Sequence, residues 1–450
     1  MSRDSKVETI VALSSGALPS GIAVLRVSGP AARGVVTALA GSVPAGRRAG
    51  LRRIRDRDGA TLDRGLVLFF EGPGTASGED SAEFHLHGGR ATVSAVLAAA
   101  CALPGVRLAE AGEFTRRAFE NGRIDLTEAE GLGDLLAAET ERQRRAALDQ
   151  ADGSLRRLYE GWMDALTGMR AMIEASLDFA DEGDVGETLD PGTARAMARL
   201  LVELEAHLDR AERGEILRAG FRVAIVGPPN AGKSSLMNAL ARRDVAIVTP
   251  VPGTTRDVLE VTLDLRGIPV RLFDTAGLRE TDDPVEAIGI ERARRTMDAA
   301  DLVLSLVPAD ALEEAAGLSH VKHAVVDGEA AKPTHLTVLS KADLAKRPVP
   351  DSWPALSTRD GTGLESLLAH IAAAASEGIG EEPLPLHERH RALLGELRDL
   401  LREALDHPDD APELQAERLR EAADRLGLLT GRRGVEDLLD IVFSRFCIGK

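Results

Sequence analysis

Gly227-Pro228-Pro229-Asn230-Ala231-Gly232-Lys233-Ser234 is the stretch on which the reading of this chain turns. It fits the P-loop pattern GxxxxGK followed by Ser or Thr. It stands after a buried-type strand, Phe221–Val226, and before a helix-like run, Ser235–Leu240, where a P-loop belongs. The chemistry needs these residue types. Glycines let backbone N–H groups approach phosphate oxygens, Lys233 brings positive charge to the β- and γ-phosphates, and the Ser234 hydroxyl ligates Mg²⁺. Asn230, Ala231, Gly232, Lys233, Ser234 and Ser235 are therefore the candidate phosphate cradle. A glycine-rich turn on its own would say little, but three further elements follow in order.

Gly253-Thr254-Thr255-Arg256-Asp257 offers a threonine, Thr255, to complete the Mg²⁺ shell and sense the γ-phosphate, with Thr254 beside it. Asp274-Thr275-Ala276-Gly277, after the strand Ile268–Phe273, offers an acid for the metal's surroundings and a glycine N–H for the γ-phosphate. Ser340-Lys341-Ala342-Asp343 follows Leu336–Leu339 and reads the base. Guanine presents two donors on one edge, which a single carboxylate accepts together, whereas adenine has no such pair. Asp343 thus argues for GTP over ATP, with Lys341 along the purine face and Ser357 a candidate in the loop behind the base. The usual pattern begins with Asn, so Ser340 is a departure. In Ras-like proteins a glutamine after the DxxG glycine orients the attacking water. Here that position is Leu278, which cannot. Two residues are expected to fill the gap. The Asn230 amide oxygen can hold a monovalent cation beside the β/γ bridge, and Glu286, in the acidic stretch Glu280–Glu286, can hold the water.

Working outward, Val7–Leu13, Gly21–Val27 and Gly65–Phe70 read as strands and Ala91–Leu103 as a helix, an α+β pattern. From Thr127 the period turns helical, with Thr127 and Glu130 the expected capping box. Leu155, Leu158, Trp162, Leu166, Met169 and Ile173 recur at gaps of three and four, and Leu200, Leu201, Leu204 and Leu208 mark another helix after an acidic loop. Beyond a linker at Glu377–Pro383, three stripes follow: Leu393, Leu397, Leu401 and Leu405; Leu419, Ala423 and Leu426; Val435, Leu439, Val442 and Phe446. The expected architecture is a multidomain α/β and α chain. It comprises an N-terminal α+β domain (1–120), a discontinuous helical bundle (121–217 and 384–450) and an inserted Ras-like P-loop domain (218–377).

A chain of 450 residues suits roughly three domains. With 44% hydrophobic and 28% charged residues the composition is that of globular proteins. No run of eighteen apolar residues offers a membrane span, and the N-terminus has no secretory pattern. Two cysteines, Cys101 and Cys447, make no disulfide framework, which points to the cytoplasm. The net charge of −17 argues against a protein that coats nucleic acid non-specifically. From Leu386 onward 11 Lys plus Arg stand against 14 Asp plus Glu, so docking of any nucleic acid would rely on localised arginines or on a partner.

Four stretches together resemble the MnmE (TrmE) family of potassium-activated GTPases that modify the tRNA wobble uridine. They are Gly78-Glu79-Asp80 with Glu83 and His87-Gly88-Gly89; Gly112-Glu113-Phe114-Thr115-Arg116-Arg117-Ala118-Phe119 with Asn121-Gly122 and Asp125-Leu126; the GTPase set; and the terminal Phe446-Cys447-Ile448-Gly449-Lys450. The resemblance implies a folate-binding, dimer-forming N-terminal domain, with Arg26, Glu83 and Lys450 as contacts to a formyl- or methylene-tetrahydrofolate. Arg123 stands where the family commonly has lysine. It implies K⁺ held by Asn230 and by loop carbonyls near Thr249, Val251 and Thr254, with Glu286 as the water-positioning acid. It also implies a homodimer that forms a heterotetramer with MnmG (GidA), a flavoprotein carrying the FAD. Together they would install a carboxymethylaminomethyl or aminomethyl-type group on carbon 5 of the uridine. Cys447 is either a small buried residue of the last helix or, by resemblance, a thiol near the folate site. Two other readings remain at this point: a regulatory or ribosome-assembly GTPase without modification chemistry, and a folate-dependent methyltransferase carrying a regulatory GTPase. Folate binding by residues 1–120 separates the first of these from the family reading.

Overall fold

The computed structural model describes residues 8–178, 190–243, 245–247, 260–274, 297–309, 334–345, 354–377, 379–380, 384, 386–432, 436–444, 446 and 448–449. Its elements in chain order begin with β1 (Thr9–Leu13), β2 (Ser20–Ser28), α1 (Ala32–Ala40), β3 (Gly50–Arg55), β4 (Thr61–Phe70), β5 (Ser81–Gly88), α2 (Arg90–Cys101), β6 (Val106–Leu108) and α3 (Glu113–Glu120). Helices α4 (Leu126–Ala137), α5 (Glu141–Ala151), α6 (Ser154–Asp178), α7 (Pro191–Leu208) and α8 (Ala211–Ala219) follow. Next come β7 (Phe221–Val226), α9 (Lys233–Ala241), β8 (Glu260–Leu265), β9 (Ile268–Asp274), β10 (Leu302–Pro308), β11 (Thr334–Ser340) and α10 (Leu364–Ser376). The chain closes with α11 (Glu388–Asp406), α12 (Pro412–Thr430) and α13 (Glu436–Ser444). These elements form two units: Met1–Gly133 with Gln150–Thr193 and His407–Lys450, and Asp134–Asp149 with Ala194–Asp406.

In the first unit six strands form a sheet in the order β3-β4-β5-β2-β1-β6, antiparallel throughout except for the β1–β6 pair. Alternation puts Ala23, Leu25, Val27, Ile54, Val67, Phe69, Phe84 and Leu86 on one face, where Val35, Val36 and Leu39 of α1 and Val93 and Val96 of α2 bury them. The opposite face is more open and exposes Ile22, Leu51 and Leu66. The three expected strands and the helix are present. The sequence reading passed over β3, an edge strand with three arginines and only Ile54 buried, and also over β5. Elsewhere in this unit α6 packs along α12, and Leu155, Trp162, Leu166, Met169 and Ile173 of α6 are buried. Tyr159, at 0% exposure, is fully buried where the stripe named Leu158.

The capping box of α4 lies two residues earlier than expected. Asp125 Oδ1 accepts from the Glu128 N–H at 2.8 Å, and Glu128 Oε2 accepts from the Asp125 N–H at 2.7 Å. Thr127, already inside the helix, donates its hydroxyl to Asp125 instead. Aspartate accepts as well as Ser or Thr at this position, so the box is Asp125-x-x-Glu128.

The second unit holds a five-stranded sheet, β11-β10-β7-β9-β8, parallel except for the antiparallel β8–β9 hairpin. Its strands are near-continuous apolar runs: α9 and α10 together bury one face, with Val223, Ile225, Leu304 and Leu306, while Ala224 and Val303 on the other face pack with Ala300 and Met297. In α11 the buried face is Leu394, Leu397, Leu401 and Ala404 with His390, one residue round from the Leu393/Leu405 stripe expected. Among the described residues no helix is long and apolar enough to cross a membrane.

Candidate functional site

The P-loop leaves the C-terminal end of β7 and enters α9 at Lys233, at the carboxyl edge of a parallel sheet where such folds bind ligands. Gly227 has φ +152°, and a Cβ there would lie 2.5 Å from the Leu306 carbonyl oxygen. Only glycine lets the backbone pass so close to β10. Ala231 is fully buried, which anchors the loop, while Asn230 is exposed with φ +62° and makes no hydrogen bond among the described residues. The Lys233 ammonium donates to the carbonyls of Gly227 (2.8 Å) and Pro228 (3.1 Å), so it is held at the mouth of the loop. Ser235 sits exposed in the first turn of α9.

Ser234 and Asp274 meet as expected. Ser234 Oγ donates to Asp274 Oδ2 at 3.1 Å, bringing the start of α9 to the end of β9. Asp274 Oδ1 is buried with no hydrogen-bond partner among the described residues. A hydroxyl oxygen beside an acid with an unsatisfied buried oxygen suits Mg²⁺, which takes oxygen ligands and keeps several waters. At the base end, Lys341 takes a left-handed conformation (φ +56°) and turns the chain into a 3₁₀ turn, Ala342–Leu344, carrying Asp343. Arg359 Nη1 lies 4.0 Å from Asp343 Oδ2. The Ala342 N–H donates to the Leu356 carbonyl at 3.0 Å, and Ser357 is fully buried at the start of the loop backing that turn.

Ser340 has a structural task that its departure from Asn did not announce. Buried at the end of β11, it donates its hydroxyl to the Ala231 carbonyl at 2.6 Å and ties the base-reading turn to the P-loop. Thr249, Val251, Thr254, Thr255, Thr275, Ala276, Gly277 and Glu286 lie outside the described residues, as do Cys447 and Lys450.

In the first unit Arg26 of β2 and Glu83 of β5 are register partners, and Arg26 Nη2 donates to Glu83 Oε1 at 3.3 Å. His85 Nε2 lies 3.1 Å from the other Glu83 oxygen, and the Arg26 guanidinium sits 5.8 Å from the centre of the Phe114 ring. Arg123 is held separately, donating to the Thr75 carbonyl at 3.1 Å beside Asn121, which donates to the Ser77 carbonyl. The C-terminal tail reaches the same sheet. Ile448 bridges Ala111, and the Ser14 hydroxyl at the end of β1 donates to the Gly449 carbonyl at 2.8 Å.

Comparison with known proteins agrees with both halves. The MnmE helical domain family matches residues 126–447, and the family described as GTP-binding protein TrmE N-terminus matches residues 9–123. Proteins named tRNA modification GTPase MnmE are 51% identical over 446 residues in Brucella suis and 50% identical over 446 residues in Brucella canis, covering 98% of both chains in each case. The Rhizobium meliloti protein of that name is 49% identical over 450 residues, covering 98% of this chain and 99% of that one. The chain belongs to the MnmE family. Within the family frame it is a GTP hydrolase.

The family motifs in the N-terminal domain have a structural meaning that sequence reading missed. Glu79, quoted there only as part of Gly78-Glu79-Asp80, accepts from Ser28 Oγ at 2.7 Å and from Arg117 Nη1 at 3.2 Å. Arg117 also donates to Glu113 at 2.9 Å, and Glu113 in turn accepts from Arg107 at 2.6 and 2.8 Å. Burial alone would raise the Glu113 pKa, but Arg107, the Glu110 N–H and Arg117 outweigh it and hold the carboxyl below its ordinary value. These residues fasten α3 to the sheet next to Arg26 and Phe114.

Proposed function

We propose that this chain hydrolyses GTP to drive a rearrangement that supports modification of carbon 5 of the tRNA wobble uridine, acting as a cytoplasmic homodimer with a flavoprotein partner. The observation that carries the reading is the coincidence, in one chain matched over 98% of its length by tRNA modification GTPases, of a formed P-loop and an Arg26–Glu83 site beside the C-terminal tail.

For hydrolysis, the loop backbone and Lys233 bind the β- and γ-phosphates, and Ser234 with Thr255 holds Mg²⁺. Bound K⁺ would supply the positive charge that an arginine finger gives elsewhere. The exposed Asn230 amide, which makes no hydrogen bond among the described residues, supports its binding there, together with carbonyls near Thr249, Val251 and Thr254. Leu278 replaces the usual glutamine, so Glu286 orients the water, while Gly277 and Thr275–Ala276 line the γ-phosphate side. Asp343, with Lys341 and Ser357, selects guanine.

The donor set of the N-terminal site fits a tetrahydrofolate. A partly buried carboxylate at Glu83 can accept paired N–H donors from a pterin edge, and Arg26, Arg123 and Lys450 offer cations to carbonyl and carboxylate groups. The exposed Ile22, Leu51 and Leu66 on the open sheet face support a second copy covering it. Two measurements test the proposal. Nucleoside mass spectrometry of tRNA from a strain lacking this chain should show loss of the carbon-5 aminomethyl-type uridine and its return on complementation. An unchanged profile would instead favour a ribosome-assembly GTPase. Hydrolysis by the purified protein should rise in K⁺ and stay low in Na⁺, and equal rates would refute the cation's role.

A further inference from the structure

The second unit contains a junction that neither the nucleotide chemistry nor the folate site uses. Residues Thr140 and Gln143 form the capping box of α5: Thr140 Oγ1 lies 3.3 Å from the Gln143 N–H, and Gln143 Oε1 accepts from the Thr140 N–H at 3.0 Å and the Glu139 N–H at 2.8 Å. Both side chains are buried, and each spends its remaining donor on the nucleotide-binding domain. Thr140 Oγ1 donates to the Gly267 carbonyl at 2.6 Å, and Gln143 Nε2 donates to the Arg218 carbonyl at 3.1 Å. Between them Arg142 donates to the carbonyls of Ile379 (2.6 Å) and Gly380 (3.2 Å). One helical turn therefore holds the chain where it enters the domain, where it leaves it, and at the turn of the β8–β9 hairpin.

The hairpin turn is shaped for this contact. Leu265 pairs with Ile268 around Arg266 and Gly267, both at positive φ (58° and 82°), a two-residue turn. A Cβ on Gly267 would lie 2.9 Å from Arg142 Cβ, so the helix sits directly against the backbone. At its other end the same strand, β9, presents Asp274 to Ser234. A strand of this length spans about 20 Å and is stiff along its axis. A shift of Asp274 on nucleotide turnover must therefore reach Gly267, and through the box it must reach α5.

We infer that Thr140 and Gln143 are positioning residues that couple the nucleotide state to α5, with the helix cap serving as the clamp. This rests on the proposed coupling of hydrolysis to modification, but the clamp is tested apart from it. The variant Thr140→Asp/Gln143→Glu keeps an acceptor at each capping position, in the arrangement that Asp125 and Glu128 use on α4, and removes both donors to the domain. Thr140→Ser keeps cap and clamp and serves as the control.

In the full-length wild-type protein, a non-hydrolysable GTP analogue should change amide hydrogen exchange across residues 141–151. That change should vanish in the double variant and persist in Thr140→Ser, while GTP turnover stays near wild type. In the complemented null strain the modified uridine should fall about tenfold, a usual scale for coupling between sites. Absence of any exchange change in the wild type, or its survival in the double variant, overturns the clamp. A wild-type exchange response without any tRNA modification would instead remove the modification reading and leave the clamp standing. Should the double variant unfold, Arg142→Ala, which leaves the cap intact, must weaken the response, and a full response there overturns the proposal equally.

Discussion

The two sheets of this protein build their sites in different ways. At the β7–α9 junction the site is mostly backbone, with carbonyls and N–H groups bent into a loop whose conformations few residues tolerate. On the open face of the N-terminal sheet the proposed site is made of side chains, brought together only because β2 and β5 pair in one particular register. A backbone site leaves its constraints in the sequence as glycines at fixed spacing. A register site leaves almost none, because Arg26 and Glu83 are 57 residues apart and nothing local to either announces the other. The contrast predicts that the first site breaks on a single methyl group and that the second tolerates large changes if the pairing is preserved.

The largest effect should come from Gly227→Ala. Its Cβ would meet the Leu306 carbonyl at 2.5 Å, in a φ region that side chains rarely occupy, so the loop must move. Strain of about 1–3 kcal/mol at that point corresponds to a loss of about ten- to a hundredfold in GTP affinity. Titration with a fluorescent GTP analogue would measure it, and unchanged affinity would mean that the close approach to β10 is not what shapes the loop.

The opposite experiment suits the other sheet. Exchanging the pair, as Arg26→Glu with Glu83→Arg, keeps opposite charges facing across β2 and β5 and should leave the fold intact. The polarity presented to a ligand is reversed, so calorimetric binding of a formyl-tetrahydrofolate should weaken about tenfold, as expected for one lost charge-assisted contact. GTP hydrolysis should not change. If the exchanged pair binds folate as well as the original, then these two side chains do not define the site.

The same distinction explains how much could be read in advance. Phe221–Val226 is β7 as expected, the P-loop enters α9 as expected, and Ser234 reaches Asp274 because the start of α9 and the end of β9 both lie at the carboxyl edge of the parallel strands. The helix stripes were visible, but their exact faces were not: Tyr159 replaces Leu158, and the α11 face is turned by one residue, because a run of leucines at every fourth position drifts around a helix. The α4 cap was misplaced because Thr127 looked as good as Asp125 without knowledge of where the helix starts. The Thr140–Gln143 box was not noticed, and its second set of hydrogen bonds to Gly267 and Arg218 depends on tertiary placement that no spacing encodes. Ser340 shows the reverse case. Read as a departure, it makes a hydrogen bond to the P-loop that the change from Asn does not suggest.

Acid should distinguish the two units most gently. In the second, His207 of α7 is almost fully buried; burial, then the charges of Arg210 and His390, push its pKa down to about 3. An unfolded histidine titrates near 6.5. Because the folded value is depressed, the stability it reflects is complete above that pH and is lost as pH falls, when the unfolded chain takes up a proton that the folded chain refuses. The loss should reach about 1 kcal/mol by pH 6 and continue toward the folded value. In the first unit the depressed Glu113 works in the same direction but only below the ordinary carboxylate range near 4.3. There Asp125, raised by burial, opposes it, since its protonation favours the fold. Between pH 6.5 and 4.5, amide exchange protection should therefore fall in the second unit and hold in the first, and His207→Gln should flatten the difference. Equal losses in both units over that range would show that burial of one histidine does not set the acid response.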